Sequence, residues 1–98
     1  MSDTRKLDAK QRKQLKQAAH HLKPVVRIGQ KGLTENVIAE TIACLVQHEL
    51  IKVHVAAGDK QMRADTAEKL ANTTDAELVH QIGKVFVLYR QREDNHDG

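Results

Sequence analysis

The sequence predicts an α/β fold in which helices and strands follow the order α-β-α-β-α-β-β. Apolar residues recur at helical spacing in three segments of the 98-residue chain, and short runs rich in β-branched residues lie between and after them. Strands separated by helices pair in parallel through crossovers, whereas strands joined by a tight turn form an antiparallel hairpin. We therefore expect a two-layer sandwich with a four-stranded mixed sheet, in one domain over residues 1–90.

The first helix is expected over residues 8–22. Asp8 and Gln11 have the spacing of a capping box, in which each side chain bonds the other residue's backbone N–H. Pro24 cannot continue the helix, so it ends there and leads into a strand over residues 25–28. The helix is expected to turn four apolar residues toward the core, namely Leu15, Ala18, Ala19 and Leu22.

A glycine-bracketed loop joins this strand to the second helix. Gly29 and Gly32 enclose Gln30 and Lys31, and both glycines are expected to adopt a positive φ. Exposed N–H groups at a helix start form an anion site, and its natural ligand is a phosphate. The four residues alone fit a plain β-to-α connection equally well, and the further residues of the known nucleotide-binding motifs are absent.

The later elements follow the same patterns. The second helix is expected over residues 35–49, the second strand over 50–56, the third helix over 60–71, and a hairpin over 77–82 and 85–90. Thr34 and Asp59 are expected to cap the two helices. Their inward side chains are expected to be Ile38, Ile42, Leu45 and Val46, and Met62, Thr66, Ala67 and Leu70. The polar segment 91–98 is expected to be disordered.

Charge divides the chain near Gly32. Residues 1–32 carry nine Lys or Arg and two Asp, a net charge of +7, whereas the other residues carry seven against eleven, a net charge of −4. A positive surface on a weakly acidic body is the electrostatic pattern of a nucleic-acid binder, although a row of lysines is also typical of a solvated helix face. Besides the loop, the expected RNA contacts are Lys10, Lys13, Lys16, Lys23 and Arg27. Three other lysines are expected to lie off this surface, namely Lys52, Lys60 and Lys69.

Other function classes have less support. The single cysteine, Cys44, excludes an intrachain disulfide and fits a reducing compartment, and no apolar segment suits a leader or a membrane span, so we expect a cytoplasmic protein. Cys44 and His48 have metal-ligand spacing without a clear third and fourth ligand, so no metal or other cofactor is expected. No nucleophile has a readable base, which argues against an enzyme. A protein-binding adaptor with its basic face on an acidic partner is the alternative.

Four blocks of the sequence resemble the bacterial YhbY proteins, the stand-alone form of the CRM domain. They are residues 19–26, 28–34, 48–53 and 82–90. The resemblance covers about residues 7 to 90 and implies a fold similar to the C-terminal domain of the third bacterial initiation factor. It also implies an RNA-binding protein that associates with precursors of the large ribosomal subunit and assists ribosome assembly, with loop 29–32 in contact with RNA.

Composition restricts how such a protein could hold RNA. Phe86 and Tyr89 are its aromatic residues, and both fall in a strand that reads as part of the core. The sheet therefore lacks the aromatic platform on which other domains stack bases. We expect a monomer that recognises phosphates and RNA shape. Its expected partners are large-subunit ribosomal RNA or its precursor and ribosomal particles, with no membrane.

Overall fold

The computed structural model describes residues 7–91 and contains the predicted elements in the predicted order. They are α1 (Ala9–Ala19), β1 (Pro24–Ile28), α2 (Glu35–His48), β2 (Leu50–Val55), α3 (Lys60–Thr73), β3 (Glu77–Ile82) and β4 (Val85–Tyr89). The predicted α/β fold class is confirmed. The segment that was expected to be disordered lies outside the described residues, except for Gln91. Within residues 7–91 no helix is both long enough and apolar enough to cross a membrane.

The four strands form one mixed sheet in the order β1-β2-β4-β3. β1 pairs with β2 in parallel, and β4 runs antiparallel to both β2 and β3. The hairpin therefore folds back so that β4 lies between β2 and β3. β2 and β3 run in the same direction on either side of it, and the helix that connects them spans β4.

One face of the sheet, which we call the core face, carries the main hydrophobic core. α2 and α3 both pack on it, so the sheet and these helices make the two predicted layers. Strict alternation in β2 sends every second side chain, including Ile51 and Val53, into this core. The other buried contributors include Val26, Ile28, Leu45, Leu70, Phe86 and Leu88.

The opposite face, which we call the α1 face, is only partly covered. α1 packs there over a smaller cluster formed by Ala19, Val79 and Val87. The guanidinium of Arg12 donates hydrogen bonds to the carbonyl oxygens of Leu78 at 2.7 Å and Val79 at 3.0 Å. The β3 register shifts at this point, which leaves those carbonyls available to a side chain. These hydrogen bonds of Arg12 therefore attach α1 to the sheet.

The helix starts agree with the sequence and some inward side chains do not. Asp8 and Gln11 form the predicted capping box, and Thr34 and Asp59 accept hydrogen bonds as N-caps. α1 ends at Ala19 because residues 20 and 21 turn toward β1 before the proline is reached. Ala18, Val46 and Met62 were expected to be buried and are exposed.

The buried stripes of α2 and α3 lie slightly to one side of the predicted ones. In α2 the extra buried residue is Thr41, whose hydroxyl donates to the carbonyl oxygen of Val37 at 2.7 Å and is thereby satisfied inside the core. In α3 the stripe consists of Ala67, Leu70 and Ala71. Both helices are rotated about their axes relative to the orientation that a count of apolar residues predicts. Small or polar residues, Thr41 in α2 and Ala71 in α3, are buried where each helix packs on the sheet.

Candidate nucleic-acid interface

Residues 29–32 form a tight turn at the end of β1. The backbone N–H of Gly32 donates to the carbonyl oxygen of Gly29 at 3.0 Å. Gly32 has a φ of +73°, as predicted, but Gly29 does not have a positive φ, so the prediction for that residue is wrong. A Cβ built on either glycine would meet no atom within 4 Å. The outside of the turn is therefore open space that a ligand could approach.

The turn leads directly into the N-terminus of α2. Thr34 caps this helix, because its hydroxyl oxygen accepts a hydrogen bond from the N–H of Val37 at 3.1 Å. The first N–H groups of a helix have no partner within it. Gln30 and Lys31 are both exposed, and their backbone N–H groups donate to no protein acceptor in the described part of the chain. Two backbone N–H groups without a partner, an exposed lysine and a helix start therefore follow one another beside open space, an arrangement that favours an anion.

Arg27 lies on the α1 face of the sheet, next to this turn. Its neighbours Val26 and Ile28 are buried in the core, so the alternation of the strand directs Arg27 to the other side, where it is exposed. It pairs across the sheet with His54 of β2. Arg27 therefore lies on the same face as α1, on the strand next to β2, which α1 contacts.

The α1 lysines also border this face. Lys10, Lys13 and Lys16 are exposed, and Lys23 is exposed in the connection to β1. Lys16 lies beside the sheet and lines a cleft together with Lys52, whereas Lys10 is about 9 Å away along the helix axis. Lys23 lines a second cleft on the other side of α1, again with Lys52. Lys16 and Lys23 therefore lie on opposite sides of α1, each in a cleft that Lys52 also lines, whereas Lys10 lies near the other end of the helix.

The sign of the charge follows the two sides of the sheet. α1, β1, β2 and β4 contain no Asp or Glu, and α1 alone has four Lys or Arg. On the core face, α2 contains Glu35 and Glu40 and no Lys or Arg, and α3 carries three Lys or Arg against two acidic residues. The α1 face is therefore more positive than the core face, although the edge strand β3 contributes one carboxylate, that of Glu77. No carboxylate on these four elements repels a phosphate there.

Two further lysines near this surface, Lys52 and Lys84, were not among the predicted contacts. Lys52 was expected to lie off the surface, but it is half-buried between the two clefts beside α1. Lys84 lies in the turn between β3 and β4, and its carbonyl oxygen accepts a hydrogen bond from the N–H of Val55 at 2.8 Å. This contact holds Lys84 at the same end of the sheet as the loop. Both placements depend on the strand order, which local patterns do not reveal.

The sequence offered Cys44 as a candidate nucleophile and, with His48, as a candidate metal ligand. Cys44 is half-buried, and burial, followed by the negative charge of Glu40, raises the pKa of its thiol. The thiol is therefore protonated at neutral pH and is a poor nucleophile. His48 is exposed on the same helix, and within residues 7–91 no three His, Cys, Asp or Glu side chains are grouped to hold a metal ion.

The aromatic residues are also placed away from an open surface. Phe86 is buried on the core face, and Tyr89 is half-buried beneath α1. Burial, followed by the charge of Glu49, raises the pKa of the Tyr89 hydroxyl, as expected for a group that stays neutral. The exposed part of the α1 face therefore presents cationic, imidazole and aliphatic side chains rather than aromatic rings.

The chain matches known proteins over most of its length. Residues 7–90 match the family described as the CRS1 / YhbY (CRM) domain. A Haemophilus influenzae protein named "RNA-binding protein" is 46% identical over 88 residues, which cover 90% of this chain and 89% of that protein. A Bacillus subtilis protein named "Probable RNA-binding protein YqeI" is 36% identical over 89 residues, which cover 91% of this chain and 93% of that protein.

A solved structure has the same fold. It is the solution structure of a Staphylococcus aureus protein described as a candidate RNA-binding protein. The two chains are 37% identical and superpose with a TM-score of 0.81, and the match covers 94% of this chain and 96% of the other. The similarity therefore extends over the whole described domain, including the loop, α1 and the open part of the α1 face.

Proposed function

The chain belongs to the CRS1/YhbY (CRM) domain family, and from this premise we propose that it is an RNA-binding protein. In this proposal it acts in the cytoplasm as a monomer, associates with precursors of the large ribosomal subunit and assists their assembly. The names of its relatives support the RNA-binding part. The ribosomal part rests on the resemblance of the sequence to YhbY proteins.

The observation that carries the proposal is that Arg27 and α1 share one face of the sheet, with the glycine loop at the end of the strand that carries Arg27. α1 packs on that face, and Arg27 points outward from it one residue before the end of β1. None of α1, β1, β2 and β4 carries an acidic residue. A surface rich in cationic groups binds the phosphates of a polymer through charge and released counterions. The contacts are Gly29, Gln30, Lys31, Gly32, Arg27, Lys10, Lys13, Lys16 and Lys23.

The identity of the RNA is tested by crosslinking in cells, followed by sequencing of the RNA bound to the tagged protein. We expect reads concentrated in large-subunit ribosomal RNA and its precursor. A matched pair of variants serves as control: Lys13→Gln with Lys16→Gln on α1, and Lys60→Gln with Lys69→Gln on α3. The α1 pair should lose the reads and the α3 pair should keep them. Reads spread evenly over messenger RNA would contradict the ribosomal assignment.

Nuclease treatment distinguishes RNA binding from the alternative, in which the protein is an adaptor that binds another protein. A basic surface attracts acidic proteins as well as RNA, and both interactions weaken with salt. Partners that are bridged by RNA should disappear from a pull-down after treatment with ribonuclease. A partner that remains bound after the treatment, and that is lost in the α1 pair, would favour the adaptor.

A further inference from the structure

A cleft beside α1 interrupts the basic side of the sheet. It has a volume of about 230 Å³ and lies between α1 and the part of the α1 face that the helix leaves open. Lys16 of α1 and His20, the residue that caps the C-terminus of this helix, form one wall. Lys52 and His80 of the sheet lie on either side of the floor. The floor is aliphatic and includes Val85 and Val87.

The strand register explains this arrangement. Val87 of β4 pairs with Lys52 on β2 and with His80 on β3. Adjacent strands lie about 4.8 Å apart, so Lys52 and His80 are separated by roughly 10 Å with an apolar strip between them. The next row toward the loop consists of Arg27, His54, Val85 and Ile82. The cleft therefore lies on the way from α1 to the glycine loop.

The charges in the cleft have no internal partners. No Asp or Glu lines it, and in the part of the chain that the structure describes none of Lys16, Lys52 and His80 forms an ion pair with a carboxylate. Burial, followed by the charges of Lys16 and His20, lowers the pKa of His80. His80 is thus neutral at pH 7, with one ring nitrogen as a donor and the other as an acceptor. A complementary ligand has a negative group, a flat apolar body and a polar edge.

We propose that this cleft holds one unstacked nucleotide of the bound RNA. The base lies on Val85 and Val87 with its polar edge toward His80, and the adjoining phosphate contacts Lys16 and Lys52. The volume supports a single base, because sites for drug-sized ligands are larger, at about 300–1,000 Å³. Unpaired bases in loops and bulges are the parts of RNA that proteins can receive in this way. The inference rests on the proposed function, since it assigns a base-binding site within the same surface.

The experiment uses two RNA hairpins that differ in one base and have the same phosphates. One contains a single bulged adenosine, and the other has an abasic residue at that position. The parent protein should bind the bulged hairpin about tenfold more tightly than the abasic one, because only the former offers a base that can cover the apolar side chains of the cleft. Val85→Met obstructs the cleft without changing a charge or adding an aromatic ring, and it should remove this difference, while affinity for the abasic hairpin stays the same.

The control is the same substitution elsewhere. Val46→Met alters a valine that is 58% exposed on α2, away from the α1 face, and it should retain the tenfold difference. Equal binding of the two hairpins by the parent protein would overturn the cleft proposal and leave the proposed function intact. Binding of neither hairpin by the parent would instead contradict the proposed function.

A second measurement needs no substitution. The backbone amide signals of Val85 and Val87 in the nuclear magnetic resonance spectrum should shift when the bulged hairpin is added to the parent protein. They should stay in place with the abasic hairpin or with inorganic phosphate. If phosphate alone reproduces the shifts, the cleft is an anion site without a base, and the proposal is wrong.

Discussion

Replacing Gly29 by alanine separates recognition by the loop from the needs of its fold. Gly29 does not have a positive φ, and an added Cβ would meet no atom within 4 Å. Unstrained replacements of glycine by alanine stabilise by about 0.4–1 kcal/mol, because they restrict the unfolded chain. We therefore expect Gly29→Ala to unfold at the urea concentration of the parent protein or slightly above it.

Gly32→Ala should behave differently. Gly32 has a φ of +73°, and alanine in this left-handed region costs about 1–2 kcal/mol. In a domain of this size, each kcal/mol lowers the melting temperature by about 4–8 °C. Gly83→Ala is the matched control for this cost, since Gly83 has a φ of +59° and an added Cβ would also meet no atom within 4 Å.

The binding assay compares Gly29→Ala with Lys31→Ala. Both are measured by fluorescence anisotropy with a labelled RNA hairpin at several salt concentrations, well below the melting temperature of each variant. If phosphate is held by the N–H groups of the loop, the methyl group at Gly29 obstructs its approach. Gly29→Ala should then weaken binding by about tenfold, or 1.4 kcal/mol, and should keep the salt dependence. Lys31→Ala should reduce the slope of log affinity against log salt by about 0.7–0.9.

Two results would refute this reasoning. If Gly29→Ala binds like the parent while Lys31→Ala is weakened, the loop contributes only its charge. If both variants bind normally, the loop is a plain connection between β1 and α2. Because Gly29→Ala is expected to keep its stability, neither result can be attributed to unfolding.

The remaining predictions concern charge, anchoring and pH. The double variant Lys13→Gln with Lys16→Gln should lower the slope of log affinity against log salt by about 1.4–1.8 units. The matched pair on α3, Lys60→Gln with Lys69→Gln, should leave this slope unchanged. Equal losses from the two pairs would mean that only net charge matters. Arg12→Ala should destabilise the domain by about 2–4 kcal/mol in urea unfolding, because two carbonyl oxygens lose a charged donor, and an unchanged midpoint would exclude this anchoring role. The pKa of His80 is lowered from 6.5 in the folded state, so the unfolded chain binds more protons and stability falls as pH decreases below that value. His80→Gln should lose less stability than the parent between pH 7.5 and 5.5, and an identical loss would contradict the assignment.

The fold was accessible from the sequence because its signals are local and repeat. Alternating residues in β2 and the caps of all three helices are decided by neighbours in the chain, and the structure confirms them. Which helical residues face inward is decided by the sheet. Val46 and Met62 are each 58% exposed, because the helices pack with Thr41 and Ala71 against the sheet, and neither residue was expected there. An apolar count along a helix does not contain that information.

The site required the strand order as well as the motifs. The loop, Arg27 and the α1 lysines could be predicted as contacts because they occur in one basic segment of the chain. Lys52 and His80 could not be predicted to lie near one another. They belong to β2 and β3, which α3 separates in the sequence, and local patterns do not reveal that β4 lies between these strands. That insertion places the aliphatic Val87 between two polar side chains on an otherwise cationic face. The charge of the sequence alone indicates a surface for phosphates, and the strand order adds an apolar strip to it. A nucleotide, which has a base as well as a phosphate, complements both parts, as proposed above.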